Sequence, residues 1–227
     1  MLESLFSQFD HLIVLDTETT GLSHKADEII ELAMLTVSRD GSIRQYDEFI
    51  RLSPGRKLLP EIINLTGITD EMLESQGVEK AEAAASLAEA LGLSRPLVAA
   101  YNAQFDMGFL YYLLQSHGLA SALGGIKMLD VMTVYKDRRP YPHKLCNAIE
   151  AYALSGQNTH RAIDDTLATY ELLQAMDAEC DDLAEYINLF GYNPKYGVSG
   201  QRIRSVTYLP QSYHNTEKLY TKKSSLV

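Results

Sequence analysis

The chain has 227 residues, 46% of them apolar, and a formal net charge of −10 at pH 7. Such a length and apolar fraction allow one large core. The acidity excludes a broad, nonspecific nucleic-acid coat, but not a nuclease whose own carboxylates gather cations. No run approaches the roughly 18 apolar residues of a membrane span. The N-terminus lacks the basic-then-apolar pattern of a signal peptide. Cys146 and Cys180 have no CxxC spacing and read as reduced, helix-buried thiols, so a cytoplasmic address is expected.

The first predicted element is a buried strand, Leu12-Ile13-Val14-Leu15, running into Asp16-Thr17-Glu18-Thr19-Thr20-Gly21-Leu22. Ile29 to Val37 is apolar and β-branched enough for a second strand. Asp40-Gly41 is a hairpin turn, and Gln45 to Leu52 alternates as a third strand. Pro54-Gly55 breaks the pattern. Thr69 is the N-cap of a short helix beginning at Asp70, and Lys80 to Leu91 is an alanine-rich helix closed by Gly92. A buried strand at Leu97 to Tyr101 precedes a helix opened by Asp106, with Phe109, Leu110, Leu113 and Leu114 inward and Gly118 at its end. Lys127 to Met132 is a fifth strand, and Leu145 to Leu154 and Ala162 to Met176 are helices by apolar spacing. The order β-β-β-α-β-α-β-α-α implies an α/β fold, a mixed sheet flanked by helices.

Residues 181–227 differ in character. Asp181 to Phe190 has the spacing of one more helix, followed by a Gly-, Pro- and Tyr-rich stretch. From Lys195 onward the chain carries Lys195, Arg202, Arg204, Lys218, Lys222 and Lys223 against one acid, Glu217. About forty residues do not easily build an independent core. The expected organisation is therefore a domain over 1–180 with an irregular basic extension over 181–227 that could touch a phosphate backbone. Leu189-Phe190 faintly resembles a sliding-clamp peptide, but the expected Gln is missing and helix packing accounts for it better.

Side chains alternate along a strand, so Asp16 and Glu18 share one face. Two carboxylates that close at the end of a buried strand repel each other and lose solvation, which calls for a cation. An all-oxygen cluster favours magnesium or manganese over zinc. His160, just before the last long helix, could take a proton from water near neutral pH. The other histidines, His11, His24, His117, His143 and His214, read as surface or satisfied core positions.

Asp16-x-Glu18, then Asn102-Ala103-Gln104-Phe105-Asp106, then His160-x-Ala162-x-x-Asp165 resemble in order and spacing the three motifs of the DEDDh 3′–5′ exonuclease superfamily. That superfamily includes the proofreading ε subunit of bacterial DNA polymerase III. The resemblance spans roughly residues 10 to 178. It implies an RNase H-like three-layer fold with a five-stranded sheet, and two Mg2+ or Mn2+ ions held by Asp16, Glu18, Asp106 and Asp165. In that pattern Asp16 bridges both ions, Asp106 orients the second through water, and His160 is the general base. The position that holds Tyr in the sister group is Arg161 here, so the histidine subclass is the reading. The resemblance further implies a pocket for the last nucleotide at Thr19, Thr20, Gly21 and Leu22, with Asn102 and Phe105 as further contacts. Thr66, in Leu65-Thr66-Gly67-Ile68, stands where the ε subunit has His, a departure that touches substrate contacts rather than metal chemistry. The implied activity removes nucleoside 5′-monophosphates from DNA 3′ ends, in proofreading or repair, with a DNA polymerase as candidate partner. An RNA 3′ exonuclease of the same superfamily and a catalytically idle nucleic-acid or polymerase-interaction module are the alternatives. No membrane partner is expected.

Overall fold

The computed structural model describes residues 2–213 and 217–223. Three strands open the chain after a short helix α1 (Glu3–Phe6): β1 (His11–Thr19), β2 (Ile29–Ser38) and β3 (Ile43–Phe49). Helices α2 (Pro60–Thr66), α3 (Asp70–Gln76) and α4 (Lys80–Leu91) lead to β4 (Pro96–Ala100). Then come α5 (Ala103–Ser116), β5 (Lys127–Asp130), α6 (Val131–Arg138), α7 (Leu145–Ala151) and α8 (Ala162–Glu179). Two short strands, β6 (Leu189–Tyr192) and β7 (Thr207–Pro210), and α9 (Leu219–Lys223) complete the described chain.

The five-stranded sheet has the order β3-β2-β1-β4-β5. β1–β2 and β2–β3 are antiparallel, and β1–β4 and β4–β5 are parallel. Alternation along β1 divides the core into two layers. Leu12 and Val14 pack with Val134, Leu172 and Met176 of α6 and α8, whereas Ile13 and Leu15 pack with Leu87 and Leu110 of α4 and α5. Helices therefore cover both faces, as the mixed-sheet expectation requires. A satellite cluster of Ile30, Leu58, Ile68 and Leu73 seats α3. Thr69 caps α3 as expected, its hydroxyl accepting from Met72 N–H at 3.2 Å.

Several expectations need correction. Residues 181–190 do not form a helix: a short 3-10 turn at Leu183–Tyr186 gives way to β6. Asn188 adopts φ +56° between them, a left-handed conformation that stops helical propagation. Cys146 and Cys180 are exposed rather than buried. Helix α5 begins at Ala103, not Asp106, because the Asp130 carboxylate at the end of β5 accepts from Ala103 N–H at 3.0 Å and caps it from outside. The fifth strand stops at Asp130, where α6 begins.

The C-terminal residues contribute to both core layers. Leu183, Tyr186, Leu189, Leu209 and Leu219 join the α8 side, and Phe190 and Val206 the α5 side. Asn188 closes the outer edge of β5: its N–H donates to the Met128 carbonyl at 2.7 Å and its side-chain oxygen accepts from Met128 N–H at 2.8 Å. Gln104 of α5 donates to the carbonyls of Ser199 (2.8 Å) and Gln201 (2.9 Å) and accepts from the Tyr208 hydroxyl. Residues 199–208 thus form a strap fastened across α5. Among the described residues, no helix is long and apolar enough to cross a membrane.

Candidate active site

β1 outruns its parallel neighbour. Pairing with β4 ends at Val14–Ala99, so Asp16, Thr17 and Glu18 project beyond it with only β2 alongside. The carboxyl ends of strands in open α/β sheets are the usual place for a ligand crevice. In β1, Asp16 and Glu18 are half-buried on one face while Thr17 and Thr19 are buried on the other. The first turn of α5, starting just past β4, delivers Asp106, and the first turn of α8 delivers Asp165. One candidate ligand atom from each of Glu18, His160 and Asp165 lies within 4.8 Å of the others.

Asp16 and Asp106 belong to the same electrostatic cluster. Burial, then the charges of Asp106, Asp165, Glu18 and Glu31, push the Asp16 carboxyl well above the usual range. Glu18 is pushed up to about 8, by burial first and then by Asp165, Glu31 and Asp106. Burial also raises Asp106, against the opposing hydrogen bonds from Thr17. Asp165 rises to about 6 through burial, moderated by Asn158 and His160. Four carboxyls at one strand end, all displaced toward the neutral form, make a site that a divalent cation would relieve. Asp165 also keeps one buried oxygen, Oδ1, without a hydrogen-bond partner. Orphaned acceptors of this kind are rare unless something else satisfies them.

Neighbouring groups fix these carboxylates. Thr17 donates to Asp106 Oδ1 twice, from N–H at 3.0 Å and from its hydroxyl at 2.8 Å. Asn158 donates to Asp165 Oδ2 at 2.5 Å. His160 sits on the loop entering α8 with φ +57°, so the helix geometry does not carry it away from Asp165. That loop is anchored by Glu31, fully buried on β2 opposite Glu18. Glu31 accepts from Arg161 Nε (2.9 Å) and Nη2 (2.7 Å) and from Ala162 N–H (2.9 Å). The Arg161 guanidinium also lies 4.9 Å from the Phe49 ring centroid.

Thr17, Glu31 and Asn158 were missed in the sequence. A lone acid within Ile29–Val37 was a usable signal for Glu31, since a charge in a buried strand demands a partner. Asn158 carried no such signal.

Of the expected nucleotide-pocket residues, Thr19 ends β1, and Thr20, Gly21 and Leu22 lie on the β1–β2 loop. Thr19 Oγ1 donates to the Gly21 carbonyl at 2.7 Å, and the Asp27 carboxylate accepts from the Thr20 hydroxyl and from Ser23 N–H. A Cβ on Gly21 would lie 2.5 Å from Asp27 Oδ2, so any larger residue must displace that carboxylate from Thr20 and Ser23. Leu22 is 84% exposed, an apolar side chain standing out from the loop that follows β1. Asn102 is the exposed, left-handed N-cap of α5, and Phe105 is half-buried against Phe109 and His24. Thr66 is not tied to this group. Its buried hydroxyl donates to the Ile62 carbonyl and accepts from Ile68 N–H, closing the end of α2. His11, His117 and His143 find partners in Ser38 and in the carbonyls of Leu113 and Arg139, but His143 Nδ1 and His24 Nε2 are buried without a hydrogen-bond partner, so these two are not the satisfied positions expected. His214 lies outside the described residues.

A strand-end Asp–Glu pair facing acids from two helix first turns, with a histidine on the loop between, is the arrangement of the DEDD class of nucleases. Residues 13–173 match the family model described as RNase T, exonuclease, and the chain belongs to that exonuclease family. It is 34% identical over 217 residues to the PolC-type DNA polymerase III of Halalkalibacterium halodurans, covering 92% of this chain and 14% of the polymerase. It is 36% identical over 174 residues to that of Staphylococcus haemolyticus, covering 75% and 12%. Its fold superposes on E. coli exonuclease I in complex with a dA16 oligonucleotide with a TM-score of 0.70 at 16% identity, covering 78% of this chain and 42% of that one. The fold is RNase H-like. The chain spans about a seventh of the polymerases and about two fifths of exonuclease I.

Proposed function

We propose that the chain is a 3′–5′ exonuclease, dependent on Mg2+ or Mn2+, that hydrolyses DNA 3′ ends to nucleoside 5′-monophosphates. The observation that carries this reading is the convergence of Glu18, His160 and Asp165 within 4.8 Å, walled by Asp16 and Asp106. Asp16, Glu18, Asp106 and Asp165 would hold two ions, and the orphaned Asp165 Oδ1 suits that duty. When bound, the ions would neutralise the scissile phosphate, acidify the attacking water and stabilise the leaving 3′ oxygen.

The chain's own groups supply the rest. His160 accepts the proton of the attacking water, held in place by the Arg161–Glu31 anchor behind it. Thr17 keeps Asp106 turned into the site. The Thr19–Leu22 loop receives the terminal nucleotide, with Gly21 allowing close backbone approach and Leu22 set against a base; Asn102 and Phe105 flank it. Similarity to polymerases of the PolC type and to exonuclease I bound to dA16 supports DNA as substrate and a DNA polymerase as candidate partner.

Digestion of matched 5′-labelled DNA and RNA oligonucleotides with magnesium or manganese tests the reading. A descending ladder from the 3′ end of DNA, lost in Asp16→Ala, is expected. A ladder from RNA alone would replace the substrate, and a wild-type protein inert on both would overturn the activity.

A further inference from the structure

At the tip of the β1–β2 loop, Leu22, Ser23, Lys25 and Ala26 are exposed and His24 alone turns inward. Its imidazole reaches α5 and fills a slot that two glycines leave open. A Cβ on Gly108, in the second turn of α5, would lie 2.6 Å from the ring atoms Nδ1, Cε1 and Nε2. A Cβ on Gly200, in the strap, would lie 2.7 Å from Cε1. The ring stands edge-on to Phe109 (centroids 4.9 Å apart, planes at 88°) and to Phe105 (5.8 Å, 61°). Those two rings are themselves 5.1 Å apart, so the loop ends in a three-ring cluster on the helix that carries Asp106. Burial pushes the imidazole below its ordinary pKa, against an opposing hydrogen bond with the Phe105 backbone. With Nε2 buried and unpartnered, the ring enters the slot as a neutral, largely apolar body.

The backbone on both sides makes room for it. Glycine inside a helix is disfavoured against alanine, and α5 places one where the imidazole needs space. Gly200 has φ +69°, and Gln104 fixes it from α5 by donating to the carbonyls on either side, Ser199 and Gln201. The rest of the loop is tied differently. At its base Asp27 accepts from the Thr20 hydroxyl and Ser23 N–H, and beyond the tip the exposed Arg56 donates to the Ala26 carbonyl. We propose that His24 is a positioning residue, an aromatic wedge that pins the β1–β2 loop to α5 and thereby fixes the pocket for the 3′-terminal nucleotide against Asp106. The pocket rests on the exonuclease reading; the pinning rests on the ring contacts alone. Two aromatic pairs at their usual worth correspond to about tenfold in the balance between pinned and free loop. Apparent affinity falls with the fraction of protein that holds the competent loop. Turnover of bound substrate should not follow, because Thr17, Asn158 and Glu31 hold the acids and the His160 loop independently of His24.

Two measurements separate pinning from pocket. Hydrogen exchange in EDTA, read by mass spectrometry without substrate, follows the loop. Hydrolysis of the p-nitrophenyl ester of thymidine 5′-monophosphate with magnesium or manganese presents a single nucleotide and follows the pocket. His24→Ala should exchange faster across residues 20–27 with α8 unchanged, and raise KM about tenfold with kcat within about twofold of wild type. Gly108→Ala carries the opposite expectation for the helix alone, since alanine favours it. Its methyl should nevertheless expel the ring and reproduce the loop exchange and KM of His24→Ala while α5 stays protected. His24→Phe keeps a ring and removes the orphaned nitrogen, so it should retain wild-type exchange and KM. Wild-type loop exchange in both His24→Ala and Gly108→Ala would overturn the pinning. A freed loop with unchanged KM would overturn the positioning role, as would a His24→Phe protein that loses kcat at wild-type KM, which would make His24 a catalytic group. A wild-type protein inert on the ester would count against the exonuclease reading, and the exchange result would still decide the pinning.

Discussion

Glu18→Gln isolates the electrostatic cost of the candidate site. The Glu18 carboxyl is pushed from 4.5 to about 8, chiefly by burial. Below pH 4.5 the folded and unfolded chains both carry its proton, and glutamate and glutamine are equivalent there. Between 4.5 and about 8 the folded chain keeps a proton that the unfolded chain has lost, so stability falls as pH rises. Above 8 the folded chain bears the full cost of ionisation, with a ceiling of about 5 kcal/mol. Relaxation and protonation of neighbouring acids reduce this, and 2–3 kcal/mol is a realistic order of magnitude. At roughly 2–4 °C per kcal/mol for a chain of this size, Glu18→Gln should melt about 5–10 °C above wild type at pH 8.5 in EDTA. The two proteins should melt together at pH 4.5. Magnesium should shrink or reverse the gap at pH 8.5, because an ion that binds only the folded state stabilises the wild type more. Differential scanning calorimetry over pH 4.5–9, with and without magnesium, reads all of this. A Glu18→Gln protein no more stable than wild type at pH 8.5 in EDTA would refute the claim that these carboxyls strain the fold.

His160→Ala should lower turnover about 10²–10⁴-fold with an unchanged melting temperature. Isothermal titration with manganese decides its role: abolished ion binding would make it a ligand, not a base. Arg161→Ala strands the fully buried Glu31 and should cost about 3–5 kcal/mol in urea unfolding; Arg161→Lys should recover only part, lacking the fork by which Nε and Nη2 both donate to Oε1 and Nε also to Oε2. A cost below about 1 kcal/mol would contradict the anchoring role assigned to this pair. Gln104→Ala removes three hydrogen bonds to the strap and should raise hydrogen exchange across residues 199–208 while β1 stays protected. Unaltered exchange in the strap would mean that apolar packing alone holds it.

The sheet was legible in the sequence because β1, β2 and β4 are near-continuous apolar runs that only a two-sided core accommodates. Convergence of Asp16, Glu18, Asp106, His160 and Asp165 was legible through motif order. What was hidden depended on tertiary partners. Lys127 to Met132 reads as one strand, apolar on both sides of Asp130, and the break there comes from the bonds that the Asp130 carboxylate accepts from Ala103 N–H and the Thr133 hydroxyl. α2 escaped notice because its seven residues bury only Thr66 fully and show no complete apolar face. The helical spacing of Leu183, Tyr186, Ile187 and Phe190 is real, yet Asn188 turns left-handed to meet Met128, and a strand results. Glu31 gave its clue as a lone acid, but Arg161 was weighed only as the residue that is not tyrosine.

The Asn188 clasp on β5 also bears on how the margins of the sheet are covered. A sheet of five strands has two open margins, and each is a template for pairing with another chain. Along β3 the margin is defended by charge, with Arg44 exposed and Asp47 and Glu48 half-buried. β5 is short and apolar at Met128 and Leu129, and its one exposed charge is Lys127 at its start. Its outward backbone groups at Met128 are taken up by a residue fifteen positions beyond the last one that the family model matches. A chain trimmed to residue 173 would carry the whole constellation of acids and yet leave the Met128 backbone groups of β5 without the Asn188 partner.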